Sequence, residues 1–126
     1  MTTPNILAGW LAMLAGVCSG AVAGLFFHRD DWMGGYNSYR RRLVRLGHIS
    51  FFGLGFVNLF FAITAPMLGV HGTNLKAASI SFIVALITMP LCCFLSAWRK
   101  HFRHLFPIPV TAAFVGISIT LLGRMR

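Results

Sequence analysis

Acidic side chains are nearly absent from this sequence. Its 126 residues contain no glutamate and only two aspartates, Asp30 and Asp31, against eleven lysines and arginines. Adjacent acids on a loop do not face each other as a general acid and base must, so we expect the chain not to be an enzyme of that kind. No acid lies within an apolar run, which also argues against the glutamate-based proton coupling of small four-span exporters.

Charged residues of either sign are scarce as well. They make up 10% of the sequence, whereas hydrophobic residues make up 57%; soluble domains have roughly a quarter of their residues charged. The formal charge of +9 is carried by short basic runs that flank long apolar segments. This arrangement is typical of a protein surrounded by membrane lipid and not of one that binds nucleic acid.

Four apolar segments alternate with polar loops, and the first is long enough to cross the ~30 Å core of a bilayer as a helix. The sequence therefore predicts an all-α membrane protein, a compact bundle of four transmembrane helices with short loops. We expect a single integral-membrane domain over residues 1–126. The predicted helices cover about 5–27, 46–65, 75–98 and 107–123.

Two kinds of residue within these segments indicate helix packing. Gly16, Gly20 and Gly24 recur every four positions on the first segment, and rows of small residues allow helices to approach closely in lipid. We expect this row to face another helix, in the same chain or by self-association or contact with a partner protein. Asn58 on the second segment should also point at a neighbouring helix, because an unpaired amide facing lipid is costly.

Basic residues are distributed unequally between the two sides of the predicted bundle. The first and third loops hold five and three lysines and arginines, eight in all, against Lys76, Arg124 and Arg126 on the other side. The positive-inside bias then predicts that the first and third loops are cytoplasmic and both termini are non-cytoplasmic. The compact chain without a recognisable targeting peptide favours the bacterial inner membrane.

Histidines are the best candidates for cofactor chemistry. Haem b needs two imidazoles that face each other between helices, and His48 with His28 or His101 could meet that requirement near the cytoplasmic face. His101 and His104 also have the helical spacing of a metal pair, although that loop offers no third ligand. Histidines at lipid headgroups or helix ends remain the competing interpretation for all four.

The expected function follows from the small-residue faces on all four segments, which exceed what one tight bundle requires. We expect a small polytopic membrane protein that is a non-enzymatic subunit, or an accessory or assembly factor, of a larger membrane complex. Two alternatives stay open. One is a haem b or metal-binding electron-transfer protein that uses His48, and the other is a small channel or carrier lined by Asn58 and a face of Ser81 and Thr88.

Overall fold

The computed structural model describes residues 2–123, and within that range the chain is helical with no β-strand. The predicted all-α fold of four helices is therefore confirmed. The helices are α1 (Thr3–Phe26), α2 (Tyr39–Met67), α3 (Gly72–Trp98) and α4 (Pro107–Leu122), with short 3₁₀ helices at Trp32–Gly34 and Lys100–Leu105. Arg124 and Arg126, which enter the expected charge count, lie outside the described residues.

Four helical stretches are long and apolar enough to cross a membrane. Three of them are α1, α2 and α3, and the fourth is Lys100–Leu122, in which α4 is extended by the 3₁₀ helix before it. The α4 segment alone, at 16 residues, would reach only about 24 Å. Length and composition thus agree with the four-span prediction.

Helix α2 begins at Tyr39, earlier than the expected start near Leu46. The reason is local: the side chain of Ser38 accepts a hydrogen bond from the backbone N–H of Arg41 at 3.1 Å and so caps the first turn. The basic run that follows is therefore the first part of the long helix.

The helices pack mainly on their neighbours in the chain: α1 on α2, α2 on α3, and α3 on α4. Helix α3 lies in the middle and is the most buried of the four, whereas α4 is largely exposed. A cluster of buried apolar residues joins the end of α2 to the beginning of α3; it consists of Phe61, Ala65, Val70, Ala78 and Phe82.

Glycines set the short distance between α1 and α2. A Cβ atom on Gly9 would lie 2.7 Å from Cγ of Leu59, and one on Gly55 would lie 3.1 Å from the carbonyl oxygen of Gly9. Distances this short leave no room for a side chain at either position. The close backbone approach is the geometry that small residues provide between helices in lipid.

Candidate functional site

Three helices meet at a cluster of buried polar side chains, which we call the asparagine clasp: Asn5 of α1, Asn58 of α2 and Ser79 of α3. Asn5 and Asn58 are completely buried. The Nδ2 group of Asn5 donates to Oδ1 of Asn58 at 2.8 Å, and the hydroxyl of Ser79 donates to Oδ1 of Asn5. Asn5 thereby joins α1 to both α2 and α3 through side-chain hydrogen bonds.

The remaining amide group of Asn58 is also engaged. Its Nδ2 donates to the carbonyl oxygen of Leu54 in its own helix at 2.9 Å and to that of Phe82 in α3 at 3.2 Å. Both polar atoms of the side chain therefore have partners inside the protein. This arrangement satisfies the hydrogen-bonding needs of a buried amide and orders the three helices around it.

Ser81 and Thr88 lie away from the face of α3 that the clasp contacts. Asn58 donates to the carbonyl of Phe82 in α3, and Asn5 accepts from the hydroxyl of Ser79. At about 100° per residue, Ser81 and Thr88 lie roughly 160–180° around α3 from Ser79 and roughly 100–120° from Phe82. The hydroxyl of Thr88 instead donates to the carbonyl of Val84 in its own helix, at 2.6 Å.

Sequence reasoning singled out Asn58 but not Asn5 or Ser79, the other two members of the clasp. Asn5 stands at the start of the first apolar run, where a polar residue is expected simply because a helix begins there. Only the packing of α1 on α2 brings it to the level of Asn58. The available signal was that a buried asparagine in an apolar helix needs a polar partner, and few polar residues occur in the other segments.

At the same end of the bundle, a residue outside α2 replaces a hydrogen bond that a proline removes from that helix. Pro66 has no N–H to donate to the carbonyl of Ala62, four residues earlier. The hydroxyl of Thr2 donates to that carbonyl oxygen at 3.1 Å. The chain before α1 thus supplies the hydrogen bond that the proline removes.

At the opposite end, which we call the arginine end, Arg41 is buried to 2% exposure. Its guanidinium donates to the carbonyl oxygens of Phe27 at 3.0 Å and Arg29 at 3.4 Å, where α1 has just ended. The guanidinium carbon also lies 4.9 Å from the ring centroid of Phe27, 5.5 Å from that of Trp32 and 5.4 Å from that of Tyr36. Carbonyl dipoles and aromatic faces thus surround this buried charge.

The side chain of the preceding residue, Arg40, extends toward the end of α3. Its Nε donates to the carbonyl oxygen of Ala97 at 2.8 Å and its guanidinium to that of Trp98 at 3.3 Å, at the end of α3. Cations stabilise helix C-termini through the unpaired carbonyls and the helix dipole. Consecutive arginines at the start of α2 therefore cap two neighbouring helices.

His48 lies half-buried between α2 and α1, below the arginine end. Its Nδ1 is 3.2 Å from the hydroxyl of Ser19, which also donates to the carbonyl of Gly16 at 3.0 Å. The ring packs edge-on against Phe52, with centroids 5.5 Å apart. The imidazole is thus an interhelical contact whose Nδ1 hydrogen-bonds to α1.

The structure does not bring His48 together with the other haem candidates. His48 is level with Gly20 of α1, and His28 follows eight residues later, roughly 12 Å nearer the arginine end. His101 lies beyond Trp98, which is level with Arg40, again roughly 12 Å from the depth of His48.

His101 and His104 do lie side by side, with ring centroids 5.7 Å apart. Over residues 2–123, no group of three or more His, Cys, Asp or Glu side chains is placed to hold a metal ion. The pair therefore stands alone as a candidate ligand set.

The glycine row of α1 is used within the chain over part of its length. A Cβ atom on Gly16 would lie 2.6 Å from the ring of Phe52, and one on Gly20 would collide with Cε1 of His48. Gly24 faces open space, with no atom within 4 Å of such a Cβ. Gly16 and Gly20 thus admit two rings from α2, and Gly24 admits none.

An apolar groove opens between α1 and α3, with a volume of about 450 Å³. The wall formed by α1 consists of three alanines and one leucine, Ala8, Leu11, Ala12 and Ala15, and α2 contributes Phe51. Pro90 lies on the α3 wall with Leu86, and the proline leaves the Leu86 carbonyl without its usual helical donor. We call this the α1–α3 groove.

Comparisons of the chain with protein-family models, with curated proteins and with solved structures found no match.

Proposed function

We propose that this protein is a non-enzymatic subunit or accessory factor of a larger membrane complex, and that it holds a transmembrane helix of a partner protein in the α1–α3 groove. The observation that carries the proposal is the groove itself, because its lining is apolar and three of the four residues on its α1 wall are alanines. Helices associate in lipid through close packing of this kind and not through a hydrophobic force.

In this proposal, the Leu86 carbonyl of the α3 wall would accept a hydrogen bond from the partner helix. The carbonyl of Leu86 has lost its helical donor to Pro90, and both residues line the groove. A serine or threonine hydroxyl on the partner helix would supply the missing hydrogen bond. At the end of the bundle that holds the clasp, the hydroxyl of Thr2 donates to the carbonyl of Ala62, which Pro66 leaves without its helical donor. The chain thus already contains one hydrogen bond of this type.

The proposed placement is in a bacterial inner membrane with the arginine end toward the cytoplasm. Within residues 2–123, eight lysines and arginines lie at that end and one, Lys76, lies at the other. Such an excess of basic residues favours the cytoplasmic side. The N-terminus of α1 and the C-terminus of α4 would then both face away from the cytoplasm.

Site-specific photo-cross-linking in native membranes tests the proposal. A photoreactive residue at Ala15 lies in the groove, whereas one at Val17, exposed and about 160° around α1 at the same depth, serves as the matched control. We expect a protein adduct of one discrete mass from position 15 and none from position 17. We also expect that adduct to disappear when Ala12→Phe narrows the groove.

Three outcomes would contradict the proposal. Adducts with lipid alone at position 15 would mean that the groove faces the bilayer. Equal adducts at both positions would mean that contact is random. A cross-linked mass equal to two copies of this chain would replace the partner subunit with self-association.

A further inference from the structure

The arginine end carries more cations than the two that bind helix-terminal carbonyls. Eight lysines and arginines lie in residues 28–45 and 99–104, together with the only two aspartates of the chain. Arg40 and Arg41 are engaged by the carbonyls that end α1 and α3. The other six are exposed or half-exposed at the surface; they are Arg29, Arg42, Arg45, Arg99, Lys100 and Arg103.

The fold joins two separate basic segments into one surface. The guanidinium of Arg40 contacts the carbonyl of Trp98, and the ammonium group of Lys100 lies 5.6 Å from the ring centroid of Tyr39. The start of α2 and the loop after α3 are therefore side by side. We call the surface formed by the six exposed or half-exposed cations of this end, with Tyr36 and Tyr39, the basic rim.

Arg45 is drawn toward this rim. Its guanidinium carbon lies 4.6 Å from the ring centroid of Tyr36, and its terminal nitrogen donates to the carbonyl of the same residue at 3.4 Å. The side chain thus extends from the second turn of α2 toward the end of the bundle, as long basic side chains do near a membrane surface. The other N–H groups of the guanidinium remain available to an anion.

We propose that the basic rim binds the phosphate headgroup of an anionic phospholipid. Six surface cations against two carboxylates leave a local excess of positive charge, and phosphate oxygens would offset it through charge-assisted hydrogen bonds. Tyr36 and Tyr39 hold two of these cations on their ring faces at the depth expected for an interfacial aromatic belt. The proposal rests on the membrane placement above and is independent of the α1–α3 groove.

The experiment uses the purified full-length protein in a zwitterionic detergent, titrated with phosphatidylglycerol or with phosphatidylcholine while its Tm is recorded. We expect a saturable rise in Tm with phosphatidylglycerol alone. The double variant Arg45→Gln/Lys100→Gln should weaken the apparent lipid affinity by about fivefold per cation removed. Lys76→Gln, which removes an exposed cation at the opposite end, should leave the affinity unchanged.

Inorganic phosphate and native mass spectrometry complete the test. Stabilisation by inorganic phosphate equal to that by the lipid would overturn the lipid assignment in favour of a free anion. Equal effects of the two lipids, or equal losses in the double variant and in Lys76→Gln, would overturn the rim as the site. If the double variant gives no cooperative melt, the wild-type protein must still retain phosphatidylglycerol in preference to phosphatidylcholine on ionisation, and equal retention would refute the proposal. A failed cross-link at Ala15 has no bearing on these outcomes.

Discussion

The two ends of the bundle are joined by different chemistries. At the asparagine clasp, neutral side chains from three helices hydrogen-bond to one another in a fully buried cluster. At the arginine end, two charged side chains from one helix reach the backbone carbonyls that end its two neighbours. Side chains that hydrogen-bond to one another hold the first end together, and side chains that hydrogen-bond to helix-terminal carbonyls hold the second.

The difference follows from the environment at each end. The clasp is buried among apolar side chains between α1, α2 and α3. A fully hydrogen-bonded amide is tolerated there, whereas burying an ion would cost several kcal/mol. Helix C-termini instead present unpaired carbonyls with a partial negative charge. A cation placed there satisfies those carbonyls and keeps part of its charge near the polar boundary.

Removing the centre of the clasp should have the largest effect. Asn58→Ala deletes three hydrogen bonds in the interior and leaves the Nδ2 group of Asn5 with only its longer bond to the carbonyl oxygen of Ser79, at 3.3 Å. We expect the free energy of unfolding in detergent to fall by about 3 kcal/mol. Asn74→Ala, at an exposed asparagine near the same end, should change it little, and similar losses in both variants would show that the clasp contributes no special stability.

The next largest effect should come from separating α1 from α2 between the two ends, because the contacts at both ends need these helices close together. Gly20→Leu forces a side chain into the ring of His48 and should lower the free energy of unfolding by about 2 kcal/mol. The matched control is Gly24→Leu, which points into open space. Combining Gly20→Leu with His48→Ala should recover part of the loss in a double-mutant cycle, and no recovery would place the clash elsewhere.

Removing the buried cap of α1 should have the smallest of the three effects. Arg41→Gln loses two hydrogen bonds to carbonyls and the contacts with three aromatic rings, so we expect a loss of about 1 kcal/mol. The exposed neighbour in Arg42→Gln provides the control. The loss of hydrogen-exchange protection in Arg41→Gln should lie in residues 24–36. A loss of protection at the clasp instead would mean that the two ends of the bundle do not open independently.

Several features could be predicted from the order of residues alone. The four long apolar runs predict four helices, because a run of that length and composition has few other ways to satisfy its backbone. The rule that a buried amide needs a partner placed Asn58 against another helix. The period of four between glycines predicted a close helix contact along Gly16, Gly20 and Gly24. The structure places the rings of Phe52 and His48 against the first two and no neighbour at Gly24.

Other features depend on which residues the packing brings to the same depth. The four arginines near the start of α2 read alike in the sequence, as headgroup residues. The structure separates them because consecutive residues point about 100° apart around α2. Arg40 therefore reaches the end of α3 and Arg41 the end of α1, while Arg45 contacts the ring of Tyr36. Similarly, no pattern distinguishes Gly24 from Gly20, and only the register of α1 on α2 leaves Gly24 without a neighbour.

The sequence by itself determined the helical class, the number of helices and the charge difference between the two ends, since these depend on local composition and on the length of apolar runs. The tertiary structure alone decided the partners: Asn5 for Asn58, Ser79 for Asn5, Thr2 for the carbonyl of Ala62, and the helix ends for Arg40 and Arg41. These contacts join residues that are far apart in the chain. Their existence depends on the relative depth and rotation of the helices, which no local pattern encodes.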